Sequence, residues 1–258
     1  MTASTSDDRD LLLKTKLLLP ERVWRMMTKP AAAMLRAMPE KTIYARGLSS
    51  RRQRRPYSLI GPGDVVFQIG APADLLAVGR SRAAYFMQLV SGDGRLVVME
   101  PDTENCERME AFAQRNGFGD HVIVVNKGGW SQETTLRFYE SKEHPASAVL
   151  ADLSDATPEE MKRRGYREIP VPVTTVDAVL AEYGLKTPKL VSITTNGAEL
   201  EILKGMEAML AAPAETYVSL AITGDRYRET MDELGFDYVC DDDRGFTFRK
   251  QPREGASA

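Results

Sequence analysis

The chain has 258 residues, 43% hydrophobic and 28% charged, as expected of a soluble globular protein with one large core and room for an appendage. The net charge of −3 selects no class of partner, but its distribution is uneven. Residues 1–60 carry 13 Lys/Arg against 5 Asp/Glu, a balance of +8, which leaves −11 on the remainder.

Two cysteines, Cys106 and Cys240, give no disulfide framework, and with two histidines they make no structural zinc spacing. No metal is expected. The polar, acidic start MTASTSDDRD is unlike a secretory signal. The apolar stretch after it is cut by Lys14, Lys16 and Pro20, short of the roughly 20 apolar residues a spanning helix needs. The expected location is cytoplasmic, with peripheral membrane contact open.

Residues 1–60 read as a basic, partly helical extension: LLLKTKLLL, VWRMM and AAAMLRAM are short helices punctuated by Pro20, Pro30 and Pro39. Leu, Trp and Met interleave there with Lys and Arg. Such helices pack on the domain or on a second copy, giving a homo-oligomer, or lie on a membrane surface helped by RRQRR at 51–55. The acidic body and the lack of an aromatic-basic motif disfavour nucleic acid. The run 46–63 has no periodicity and reads as a linker or exposed loop. Residues 61–252 form the domain and 253–258 a disordered tail.

From Asp64 strands and helices alternate. DVVFQIG (64–70), GRLVVMEP (94–101), HVIVVNKG (121–128), KLVSITT (189–195) and TYVSLAIT (216–223) are continuous apolar runs suited to buried parallel strands. Helices are read over 75–90, 103–117, 176–184, 197–212 and 227–235. Between them lie two candidate strands, TLRFYES (135–141) and REIPVPVTT (167–175). FDYVCDD and GFTFRK form a closing hairpin across Asp243-Arg244-Gly245. The alternation predicts an α/β fold with a mostly parallel sheet and helices on both faces. The antiparallel C-terminal hairpin favours a methyltransferase-type sheet over a dehydrogenase one.

Ligands of open α/β sheets bind beyond the carboxyl ends of the strands. That centres a site on the first strand's exit loop, Gly70 and Ala71 to Asp74, where small residues let backbone amides approach a ligand, although a plain tight turn would look the same. Glu100, ending the second strand, is placed to accept hydrogen bonds from a ribose diol. Trp130, after the third, is either ordinary packing or a neighbour of an adenine ring. Glu104 and Asn105 read as capping or outward-facing residues, and His121 as a surface residue.

The segments GDVVFQIGA, VVMEPDTENCERMEAFAQRNG, VVNKGGWSQETTLRFYES, VPVTTVDAVLAEYG and SITTNGAELEILKGM resemble, in order and spacing, the FkbM-type S-adenosylmethionine-dependent methyltransferases over roughly residues 60–212. The resemblance implies a class I methyltransferase (Rossmann-like) three-layer sandwich. It also implies S-adenosylmethionine as cofactor, and methyl transfer to a hydroxyl of a sugar, glycan or small molecule. It assigns Gln68, Gly70, Ala71, Asp74, Glu100 and Trp130 to the cofactor, and Thr194, Asn196 and Glu199 to the catalytic, substrate side.

The departures are concentrated. Gln68 stands for an acidic residue of the family pattern, Pro72 for its asparagine and Asp74 for its last glycine. Ser192 replaces a lysine, Thr194 an aspartate and Asn196 a glutamate. No carboxylate base then remains at 194 or 196, and Glu199, Asp152 or His144 would have to serve. The alternative is a catalytically silent binding or scaffold partner on the same fold.

Overall fold

The computed structural model describes residues 40–71, 82–141, 149–150, 157–195, 197–221 and 225–250. The expectations for the arm before Glu40, for Pro72, Asp74, His144, Asp152 and Asn196, and for the tail lie outside them. The chain divides into two compact units, 1–46 and 47–258. Among the described residues no helix is long and apolar enough to cross a membrane.

Helix α1 (Glu40–Arg51) leads into a 3-10 turn at Tyr57–Leu59. This corrects the linker expected over 46–63. Tyr57 is 1% exposed, with its ring 5.5 Å from Phe86 and 6.0 Å from Tyr85. A lack of periodicity hid an aromatic anchor, because one large ring can fix a short segment without any repeat.

Then follow β1 (Val65–Ile69), α2 (Ala83–Leu89), β2 (Arg95–Met99), α3 (Thr103–Arg115), β3 (Val122–Val125), the short β4 (Gly128–Gly129), β5 (Thr134–Ser141) and β6 (Val149–Leu150). After them come α4 (Pro158–Arg163), β7 (Tyr166–Thr174), α5 (Val176–Glu182), β8 (Leu190–Ile193), α6 (Glu199–Lys204), α7 (Glu207–Ala211), β9 (Thr216–Leu220), α8 (Asp225–Glu233), β10 (Phe236–Asp241) and β11 (Phe246–Lys250). The main sheet runs β10-β11-β9-β8-β1-β2-β3. Its strands are parallel except β11, which inserts antiparallel between β9 and β10. This order is that of the class I methyltransferase sheet. The two interhelical strands expected near 135 and 167 pair antiparallel as β5 and β7 in a second, four-stranded sheet, β4-β7-β5-β6.

Strand side chains alternate between faces. On one face Phe67, Ile69, Val97, Val191, Ile193 and Val218 join the main apolar core. Each such buried side chain contributes about 1.5–3 kcal/mol. The opposite face carries a polar row. Gln68, Ser192, Ser219 and Thr247 stand beside one another across β1, β8, β9 and β11, and all are at most 1% exposed.

The single helix expected over 197–212 is two. The Asp177 carboxylate, at the start of α5, accepts hydrogen bonds from Ala208 N (2.8 Å) and Met209 N (2.9 Å), capping α7 from outside. A Cβ on Gly205 would overlap the Trp130 carbonyl, so the joint needs glycine.

Candidate functional site

Adjacent β1, β2 and β8 end side by side, and their exits carry most of the described site residues. Gly70 continues the ladder by donating to Met99 O at 2.9 Å, and Thr194 N donates to Ile69 O at 2.8 Å. Gly70 has φ +81°, and a Cβ there would sit 2.7 Å from the Thr194 carbonyl oxygen. Only glycine suits both demands.

Glu100 ties the exits of β1 and β2 together. Its two oxygens accept from Ala71 N at 2.7 Å and Asp102 N at 3.0 Å. Behind it, Cys106 Sγ and Asn126 Nδ2 each donate to the Glu100 carbonyl at 3.1 Å. Burial pushes the Glu100 carboxyl up to about 7, although the two amide donors pull it down. The acid thus sits at its protonation midpoint near neutral pH.

Asn105 departs from its expected role. Asp102 is the N-cap of α3, accepting from Asn105 N at 2.9 Å, and the Asn105 side chain turns back toward Ala71 O at 3.4 Å. The Asn105 amide also hydrogen-bonds Glu100, favouring its ionised form.

Gln68 and Thr194 bridge β1 and β8. Gln68 Nε2 donates to Thr194 Oγ1 and to Gly70 O, both at 2.8 Å, and Thr194 Oγ1 donates to Gly70 O at 2.7 Å. The threonine hydroxyl is thereby committed as donor to the backbone and as acceptor to the Gln68 side chain. Glu199 is 1% exposed; its Oε1 accepts from Thr195 Oγ1 at 3.1 Å and Gly197 N at 3.3 Å. Gln68 Oε1 and Glu199 Oε2 are buried acceptors with no partner among the described residues. The Trp130 backbone N–H donates to Thr174 O at 2.9 Å, and its carbonyl abuts Gly205 at the end of α6.

Sequence reasoning missed Arg82. Its side chain is fully buried at the head of α2, and Nη1 donates to Ser192 Oγ (3.0 Å) and Ser219 Oγ (2.6 Å). Nη2 meets Asp242 Oδ1 at 2.7 Å and Asp243 Oδ1 at 2.5 Å. Tyr57 OH donates to Asp243 Oδ2 at 2.8 Å, and Asp242 Oδ2 accepts from Ser219 and Thr247. Burial alone would lower the guanidinium, but Asp243 and Asp242 raise it. Burial alone would raise Asp242, but Arg82 and its hydroxyl and amide donors lower it. The charged pair is the form the interior holds. The signal was present as serines at the same register of two apolar strands, LVSI and YVSL, with paired acids in the closing hairpin's turn.

The FkbM methyltransferase domain model matches residues 68–243, more than half of the chain. The chain belongs to the FkbM methyltransferase family. The match starts at Gln68 and ends at Asp243, so Arg82, Ser192, Ser219, Asp242 and Asp243 fall within the FkbM domain. Among solved structures, a methyltransferase FkbM from Methylobacillus flagellatus is 14% identical (TM-score 0.38), covering 76% of this chain and 49% of its own. A methyltransferase from Geobacter sulfurreducens is 13% identical over 87% and 97% of the two chains (TM-score 0.43). A precorrin-6Y C5,15-methyltransferase from Geobacter metallireducens is 12% identical over 84% and 90% (TM-score 0.38). This chain thus spans about half the length of the Methylobacillus protein. Among curated proteins, none matches.

Proposed function

We propose that the FkbM domain is an S-adenosylmethionine-dependent methyltransferase acting on a hydroxyl of a sugar, glycan or small metabolite. Glu100 carries this reading. A buried carboxylate braces the β1 exit at the carboxyl end of β2, where a ribose diol would meet it. The rim is rich in acceptors, with Gln68 Oε1 and Glu199 Oε2 lacking donors among the described residues. At Gln68 that deficit fits the donors of the cofactor, and at Glu199 the hydroxyl of an acceptor. When bound, the cofactor would supply an already activated methyl group.

The chain's own work is then alignment and proton removal. Gly70 and Ala71 would hold the cofactor's backbone-facing edge, and Gln68 and Thr194 fix the gap between β1 and β8. Glu199, with one free oxygen, would take the acceptor proton. Asp74 on the cofactor side and Asn196 on the substrate side belong to the same proposal.

One observation favours the alternative of a silent partner: the Gln68 amide N–H, the Thr194 hydroxyl and the Gly70 carbonyl pair with one another without a ligand. Calorimetry with S-adenosylhomocysteine separates the two. Binding by the wild type that Glu100→Ala weakens at least tenfold is the expected result. No binding at millimolar ligand refutes the enzyme.

A further inference from the structure

We propose that the arginine turn ending α1 is a docking site for anionic lipid headgroups and seats the chain on a membrane surface. From Lys41 to Gly63 the sequence has no Asp or Glu, yet it has arginines at 46, 51, 52, 54 and 55. Arg52, Arg54 and Arg55 are exposed, and none of the three forms an ion pair with a described carboxylate.

The turn is also held in shape. Arg52 N donates to Leu48 O (2.8 Å), Arg54 N to Arg51 O (2.7 Å) and Ser58 N to Arg54 O (2.9 Å). Arg51 lies 4.7 Å from the centre of the Tyr85 ring, and Arg55 Nη1 donates to Ser58 Oγ at 3.2 Å. Pro56 and Tyr57 are buried immediately behind. Planar guanidinium forks on a fixed backbone suit phosphate and carboxylate oxygens, and little order is lost on binding.

Two observations select a bilayer over a nucleic acid. Base stacking needs exposed aromatic rings, and the one aromatic residue of the turn, Tyr57, is 1% exposed. The sequence just upstream also carries Leu11–Leu13, Leu17–Leu19, Trp24, Met26 and Met27 among lysines and arginines. A headgroup–acyl boundary takes such residues, whereas a phosphate backbone has no use for them. A basic turn plus apolar side chains makes the two signals that stable peripheral attachment requires. The −11 balance after residue 60 is repelled by the same surface and would orient the domain away from it.

The test is independent of methyl transfer. Full-length protein is floated with phosphatidylcholine vesicles, with and without phosphatidylserine, over a salt series. Binding only to the anionic vesicles, lost as salt rises, is expected. The triple variant Arg52→Gln, Arg54→Gln, Arg55→Gln should bind on the order of a hundredfold more weakly, at about fivefold per arginine. Arg54→Gln alone should show about that fivefold loss, so the test survives poor folding of the triple variant. The proposal is overturned by no wild-type flotation, by variants that bind as the wild type does, or by tighter binding to a single-stranded oligonucleotide than to the vesicles.

Discussion

Replacing Glu100 with glutamine removes one charge from a buried position without changing its shape. The folded chain holds the carboxyl at about 7 against an ordinary 4.5, with burial as the chief cause. A raised carboxyl binds its proton more tightly in the folded state. Its stabilising contribution is therefore complete below about 4.5 and lost as pH rises through 7. That separation corresponds to roughly 3 kcal/mol, most of it falling between about pH 5 and pH 8. Glutamine does not titrate. It also leaves one of the Ala71 and Asp102 amides facing a donor, at a pH-independent cost of about 1–3 kcal/mol. Urea denaturation of both proteins across this range should show the variant gaining on the wild type by roughly 2–3 kcal/mol toward high pH. Parallel stability profiles would refute the raised carboxyl. If ribose hydroxyls donate to Glu100, S-adenosylhomocysteine should shift the wild-type transition to lower pH and leave the variant's profile flat.

Arg82→Met leaves Asp242 and Asp243 uncompensated in the interior and should cost about 3–5 kcal/mol in urea denaturation. Adding Ser192→Lys should restore part of that loss, and no recovery would show that a cation alone is not what the cluster needs. Gly70→Ala meets a positive φ and the Thr194 carbonyl together, so a loss of at least about 1–3 kcal/mol is expected, and a neutral thermal shift would contradict the geometry. Glu199→Gln should lower kcat by about 10²–10⁴ while S-adenosylhomocysteine affinity stays within about twofold. An unchanged kcat would remove Glu199 as the base.

The parallel strands were legible because each is a continuous apolar run closed by a turn residue, and that pattern reports burial on both faces. The closing hairpin was legible for a similar reason. Its insertion between β9 and β10 was not, since register across a sheet depends on partners far apart in sequence. The break at Gly205 escaped for the same kind of reason. GAELEILKGMEAMLAA has one uninterrupted helical period, and the residue that divides it is Asp177, reaching in from another helix. In the candidate site Glu100 was visible by position alone. The commitment of Thr194 to Gly70 and Gln68 was not, because a hydroxyl's partners are set by the strand that happens to lie alongside.

Arg82 alters how the departures from the family pattern should be understood. Ser192 stands where the pattern has a lysine, and taken singly it is a lost cation. In the fold the Ser192 hydroxyl lies 3.0 Å from the Arg82 guanidinium, which enters from α2 and occupies the space over that strand position. The positive charge is present; it arrives from a different element. Asp242 and Asp243 hold it there. The same reasoning applies to Gln68 and Thr194, where two altered positions face each other across β1 and β8 and hydrogen-bond directly. An acidic residue at each position would place two carboxylates at that distance. A carboxamide and a hydroxyl instead make a neutral, complementary pair. The altered residues are therefore fitted to one another. Such fit holds β1 and β8 together with or without a ligand, so it is the Glu100 and Glu199 variants that separate a working site from a silent one.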